Sequence, residues 1–188
     1  PMMASKLDFA PPLPVALQKA FGVWQSGAVI KIQLRYATAF WRAKGLSGMV
    51  MWRDPPALFA CEASKDDGHP ALVVFVGGPL ALRWRELGDA ALRTEVMARL
   101  QQALGTDAGK FTDFSYRDWT DDRWSGGGYS DLIIDTGATE AEQTILAGAP
   151  PVYFTASELS PSFPGYVEGA IVAGRIAAQR ILSELNPQ

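Results

Sequence analysis

The chain of 188 residues has one cysteine, Cys61, and one histidine, His69. A single cysteine excludes an internal disulfide framework, and one histidine leaves no metal cluster of familiar ligand spacing. Positive charge is sparse as well: 17 Lys and Arg against 20 Asp and Glu give a net charge of -3. Without a basic field, nucleic acid is excluded as an expected partner. No apolar run reaches the length of a membrane span and no signal peptide is visible, so the expectation is a cytoplasmic protein with no membrane partner, which a leader upstream of Pro1 would change. The paired acids Asp66-Asp67 and Asp121-Asp122 lack a third ligand and read as solvated turn residues, so no metal is expected. Internal repeats and low-complexity tracts are absent too.

What is present is apolar mass: 48% of residues are hydrophobic, enough for one substantial core. Pro11, Pro12 and Pro14 suggest an extended start, followed by a short helix around Val15 to Phe21. From Val29 to Tyr36 the alternation is clean, with Ile30, Ile32, Leu34 and Tyr36 on one face and Val29, Lys31, Gln33 and Arg35 on the other. Met49 to Trp52, Leu58 to Glu62 and Ala71 to Val76 read as further strands, with turns at Asp54-Pro55-Pro56 and Lys65 to Gly68, suggesting an antiparallel meander. Cys61, in the second of these, reads as a core residue. Asp89 is expected to cap a helix burying Leu92, Val96, Leu100 and Leu104, with Gly105 past its end. Phe111 to Trp119 reads as the last strand of this region. A glycine turn, a polar linker through Asp135 and a short helix near Glu140 to Leu146 follow. The fold class is therefore mixed α+β, with a boundary drawn at Pro150-Pro151.

The C-terminal stretch is the most patterned. Val152 to Glu158 reads as a strand, Phe163-Pro-Gly-Tyr166-Val-Glu-Gly-Ala170 as a tight turn and helix start, and a small-residue helix runs on to near Leu182. Gly165 and Gly169 are four apart, with Ala173 and Ala177 continuing the row, so another backbone or a flat cofactor can approach closely. Pro164 suits a first helical turn. The positive helix end then points out of the turn between Glu158 and Tyr166. Taken alone, these residues fit an ordinary strand and helix at a domain edge equally well.

Three blocks together resemble a known family. Ala28-Val-Ile-Lys31-Ile-Gln-Leu-Arg-Tyr36 with Phe40-Trp-Arg42 and Gly45-Leu-Ser-Gly48, then Trp124-Ser-Gly-Gly-Gly-Tyr129, then Thr155-Ala156-Ser157-Glu158 with Gly165-Tyr166-Val-Glu-Gly-Ala170 are similar, in order, to flavin-dependent amine oxidases of the monoamine and polyamine oxidase superfamily. Ala156-Ser157 departs mildly from the family's Gly-Thr at those positions.

The resemblance implies an amine oxidised to an imine or aldehyde, with O2 reduced to hydrogen peroxide. It places Tyr129 and Tyr166 as an aromatic pair around the amine, and Lys31 against the flavin. To FAD it assigns Glu158 for a ribityl or ribose hydroxyl, the adjoining Ala156 and Ser157, Gly165 and Tyr166, the Val167 N–H, and Trp124 at the flavin edge. Lys31 by pattern alone faces solvent, and either tyrosine alone reads as a buried ring. Some relatives carry a cysteine joined to the flavin where this chain has Gly128, so FAD is expected to be non-covalent.

The family's Gly-x-Gly-x-x-Gly dinucleotide motif is missing. Neither Gly77-Gly78 nor Gly126-Gly127-Gly128 is expected to follow a strand and open a helix in the required way. The resemblance thus implies the C-terminal half of an oxidase, partnered by an N-terminal FAD-binding polypeptide, a small amine and O2, and forming a higher oligomer. Residues 1–149 would form the substrate-binding domain, and the strand and helix of residues 150–188 would complete a Rossmann-like FAD domain. An L-amino-acid oxidase of the same fold, needing an arginine clamp, and a non-catalytic partner-binding remnant are the alternatives.

Overall fold

Alternate burial along Val29–Tyr36 follows the sequence period: Ile30, Ile32, Leu34 and Tyr36 are buried, while Lys31, Gln33 and Arg35 are exposed. This strand is the middle of the chain's main sheet. The structure, a computed structural model, describes residues 1–66, 68–120 and 122–186. Asp67 and Asp121, one from each acidic pair, lie outside the described residues. In chain order the elements are α1 (Val15–Gly22), β1 (Trp24–Ser26), β2 (Val29–Tyr36), α2 (Phe40–Ala43), β3 (Val50–Met51), β4 (Leu58–Glu62), β5 (Ala71–Gly77), α3 (Gly78–Trp84), α4 (Asp89–Leu104), β6 (Phe111–Asp118), β7 (Asp131–Ile133), α5 (Ala141–Ala147) and α6 (Val167–Leu185). The fold is mixed, with antiparallel sheets and helices, as the sequence predicts.

The chain packs as two units, Ala28–Arg123 and Pro1–Gly27 with Trp124–Gln188. These cuts differ from the boundary drawn at Pro150-Pro151. The reason is pairing that the sequence hides: β1 bonds to β7, and α1 and α5 share one core, tying the N-terminal residues to the C-terminal third.

In the unit Ala28–Arg123, a five-stranded antiparallel sheet has the order β3-β4-β5-β2-β6. One face carries Ile30, Ile32, Leu34, Leu72, Val74 and Val76 into a core shared with Leu92, Val96, Leu100 and Leu104 of α4. The Tyr36 hydroxyl, buried in that core, donates to the Ala108 carbonyl at 3.0 Å, and burial pushes its pKa up. Trp41 is fully buried, and its indole N–H donates to Glu62, which also accepts from Arg42.

Several local expectations change. Asp89 does not cap α4: Gly88 holds the N-cap, and the Asp89 carboxylate accepts from the Tyr116 hydroxyl. As a first-turn acid it still suits the helix dipole. Cys61 is half-buried on the sheet face opposite Leu58 and Ala60, so it is not a core residue. Gly77-Gly78 does join a strand to a helix, β5 to α3, although α3 is only seven residues long and β5 pairs antiparallel on both sides.

The other unit packs α1 and α5 around Leu17, Phe21, Trp24 and Ile145. Phe154 lies edge-on to Phe21, with ring centroids 4.8 Å apart. Asp131–Ile133, read as part of a polar linker, is instead strand β7, because Trp24–Ser26 supplies a partner. Conversely, Val152 to Thr155 is not a strand: its one ladder contact among the described residues is the bridge Ala149↔Val152. A strand needs a neighbour, and sequence pattern cannot say whether one is there.

Ile32→Ala should lower unfolding free energy by about 2–5 kcal/mol, whereas Gln33→Ala on the exposed face should stay within about 0.5 kcal/mol. Urea unfolding midpoints measure both, and equal losses would contradict the facing of β2.

Candidate functional site

Most of the site residues predicted from sequence fall in one unit, where short segments are pinned to one another. The glycine turn after Trp124 docks on the end of β1, with the Gly128 N–H donating to the Gly27 carbonyl at 2.9 Å. It ends at Tyr129, a residue 73% exposed. Two residues on, the Asp131 carboxylate accepts from the Met2 N–H at 2.7 Å and from the Ser26 hydroxyl. The Asp131 N–H in turn donates to Glu158 Oε1 at 3.3 Å, and the Ser157 hydroxyl donates to Glu158 Oε2 at 2.8 Å. Glu158 is therefore half-buried and oriented by two donors, not a free surface acid.

The next contact is made by glycine. Gly165 has φ +80, and a Cβ there would overlap the Ser130 hydroxyl. A side chain would be strained twice over, by conformation and by space. Ser130 follows Tyr129 and Gly165 precedes Tyr166, so this approach draws the two tyrosine-bearing segments together. Tyr166 is the N-cap of α6 and is 71% exposed. Among the residues lining an adjoining cavity of about 310 Å3 are Trp24, Ser130, Asp131, Glu158, Pro164 and Gly165.

The start of α6 is fixed from behind. Phe163 sits at φ +53, a conformation costing about 1–3 kcal/mol for a non-glycine residue, and its carbonyl accepts the Tyr166 N–H at 3.1 Å. Gly169 packs against that carbonyl so closely that a Cβ would overlap it. The predicted small-residue face is thus used by the chain's own backbone at Gly169, while Ala173 and Ala177 line a second cavity of about 450 Å3. Pro164 does not enter the first turn as predicted; the helix begins at Val167, after the Gly165 turn. Among the described residues no side chain caps α6, so the first-turn N–H groups of this 19-residue helix keep their donor capacity. Val167 is 81% exposed there. Ala156 is extended, and its carbonyl accepts the Leu159 N–H, closing the turn that carries Ser157 and Glu158.

Lys31 belongs to the other unit. It is exposed on the open face of the sheet, its ammonium 5.4 Å from the centre of the Phe75 ring. Phe75 stacks on Phe59 with centroids 4.6 Å apart. Arg117 is the cross-strand neighbour of Lys31 on β6, paired with Asp122 at 2.6 Å. Sequence reasoning missed Asp131, Ser130 and Trp24. Asp131 and Ser130 follow directly on the glycine-tyrosine turn, which was a usable signal; Trp24 offered none.

A family model described as flavin containing amine oxidoreductase matches residues 1–182. The chain belongs to that family. It is 28% identical over 187 residues to an L-amino acid dehydrogenase of Synechocystis sp., covering 98% of this chain and 40% of that one. With amine oxidase [flavin-containing] A of Equus caballus it shares 28% identity over 190 residues, covering 99% of this chain and 36% of the relative. Cyclohexylamine oxidase from Brevibacterium oxydans IH-35A superposes with a TM-score of 0.88 at 27% identity, covering 98% of this chain and 41% of that one. The chain thus spans 36–41% of the length of these relatives.

Gly169→Ala should destabilise the protein by about 1–3 kcal/mol through overlap with the Phe163 carbonyl. Gly174→Ala, on the same helix with nothing within 4 Å of its added Cβ, should be neutral or stabilise by up to about 1 kcal/mol. Thermal unfolding of the two variants measures the difference, and equal effects would contradict the close approach.

Proposed function

We propose that this chain is the C-terminal, substrate-binding and flavin-closing part of an FAD-dependent amine oxidase, converting an amine to an imine and then an aldehyde while O2 is reduced to hydrogen peroxide. The observation that carries the reading is the clustering of Tyr129, Glu158 and Tyr166 by the Ser130–Gly165 approach, in a chain matched to the family over residues 1–182.

The donor set suits a flavin dinucleotide. An uncapped helix start offers N–H groups, Val167 first, to the electron-rich edge of a ring, and Glu158, with two donors already bound, keeps lone pairs for a sugar hydroxyl. Bound FAD would supply the redox chemistry, taking two electrons from the amine and passing them to O2. The chain's own residues do the rest. Tyr129 and Tyr166 present exposed rings whose electron-rich faces orient the amine nitrogen. Trp124 screens the cofactor edge from water. Lys31, exposed on the sheet face of the other unit, is the lysine that the family resemblance assigns to the flavin. Gly128 has no side chain to join to a flavin, so the cofactor is held without a covalent bond.

The FAD dinucleotide is gripped by an N-terminal polypeptide of the same enzyme, and the complete enzyme assembles as a higher oligomer in the cytoplasm. Two features support a partner on this unit. The backbone N–H and C=O groups of Tyr153, Phe154 and Thr155 bond to no other group among the described residues, and the cavity of about 450 Å3 beside them is floored by Ala173 and Ala177. An L-amino-acid oxidase remains the second reading, favoured by the Synechocystis relative. Peroxide production assayed over a panel of amines and amino acids separates the two.

In the complete enzyme, Lys31→Met should slow turnover or flavin reoxidation by roughly 10²-fold or more with little change in unfolding midpoint. Unchanged half-reaction rates in stopped flow would dispose of the lysine's role. Acid precipitation should leave all the flavin in the supernatant; colour retained on the polypeptide would contradict non-covalent binding.

A further inference from the structure

The open face of the five-stranded sheet carries one row of residues that runs across all its strands. Lys31 pairs with Arg117 on one side and Phe75 on the other, Phe75 pairs with Phe59, and Phe59 with Met51. Cross-strand neighbours in register share a face, so the row passes from two cations to two rings and a thioether. Both rings are half-buried and stacked, with centroids 4.6 Å apart and planes 16° from parallel. Met51, at the end of the row, is 78% exposed. With strands about 4.8 Å apart, Phe59 lies ~10 Å and Met51 ~14 Å from Lys31 across the sheet.

The charges around this strip decide what it can hold. No acid stands in the row from Arg117 to Met51, and the next row, Ser115, Gln33, Val73 and Cys61, carries no charged side-chain pair or carboxylate. Asp113 comes only in the third row, opposite Arg35. A second ammonium, such as a diamine carries, would lose water here without gaining a counter-charge. A substrate carboxylate needs a cation of its own, whereas Arg117 is held by Asp122 at 2.6 Å and Lys31 is committed to the cofactor in the flavin reading. A flat or cyclic hydrocarbon group fits instead, stacking on Phe75 and Phe59 and touching Met51 with no polar atom left to satisfy.

We propose that Phe75, Phe59 and Met51 form the specificity wall of the oxidase, and that its preferred substrate is a monoamine whose carbon chain ends in an aromatic or cycloalkyl group. This rests on the flavin reading above, in which Lys31 stands at the cofactor. It adds the class of amine, and three residues outside the blocks that carry the family resemblance. It also separates the two readings of the substrate, because the wall has no clamp for an amino-acid carboxylate.

The test measures peroxide production by the complete enzyme with 2-phenylethylamine, ethylamine, butane-1,4-diamine and L-phenylalanine. The expected kcat/KM for 2-phenylethylamine exceeds that of each of the others by roughly 10- to 100-fold, the gain from burying one ring. Phe59→Ala should cut the advantage over ethylamine about tenfold, chiefly through KM. Binding is read separately from turnover with 2-phenylpropan-2-amine and tert-butylamine, which have no hydrogen on the carbon beside nitrogen and are not oxidised. Calorimetry should give the phenyl compound the lower Kd by a similar ratio, and Phe59→Ala should shrink that ratio. Should Phe59→Ala fail to fold, Phe59→Leu takes its place, and the ratio must still fall roughly threefold through the lost ring stacking. Equal efficiency with ethylamine, preference for the diamine or the amino acid, or an equal loss for both monoamines in the variant overturns this inference and leaves the oxidase reading standing. Bound flavin with none of the four substrates oxidised sinks that reading as well.

Discussion

The approach of Gly165 to Ser130 is the contact on which the candidate site depends. Tyr129 reaches the site from a glycine turn and Tyr166 from a helix start, and nothing in the sequence between them is regular enough to hold the two in register. Glycine at φ +80 lets the turn before α6 lie on the end of β7. The Asp131 N–H then reaches Glu158 from the same place, so one close passage of backbone fixes a carboxylate and two ring-bearing segments. Behind it, the Phe163 carbonyl and Gly169 hold the helix start from the other side.

This arrangement explains why so few titratable groups are needed. The chain has a single histidine, and it lies in the Asp66 turn, hydrogen-bonded to that acid. In the proposed reading, the groups that would be offered to a flavin are instead backbone N–H groups, a hydroxyl-accepting carboxylate and exposed aromatic rings. Such groups position reactants and shape the field around them, which suits chemistry whose electrons are carried by a cofactor. The open sheet face of the other unit presents an ammonium, Lys31, beside the stacked rings of Phe75 and Phe59.

Much of the fold was legible because it obeyed short periods. The alternation in β2 and the four-residue spacing of Leu92, Val96, Leu100 and Leu104 each named their buried faces correctly. What escaped depended on partners distant in sequence. Asp131–Ile133 became a strand because Trp24–Ser26 lies beside it, whereas beyond the single bridge of Val152 to Ala149 the segment through Thr155 pairs with no strand among the described residues. The same limit applied to the site. Tyr129, Tyr166 and Glu158 sit in motifs that a sequence displays, whereas Trp24 pairs with Ile133, and Asp131 bonds to Ser26, 105 residues away, and no local pattern records either contact. Cys61 was misplaced for a simpler reason: an apolar strand has two faces, and composition does not say which one is covered.

Native mass spectrometry of the purified flavoprotein tests the central claim most directly, since it weighs polypeptides and cofactor together. The account predicts this chain in an assembly with a second, FAD-binding polypeptide and one dissociable FAD for each copy of the chain. This chain holding flavin by itself, or an intact assembly without flavin, would contradict it.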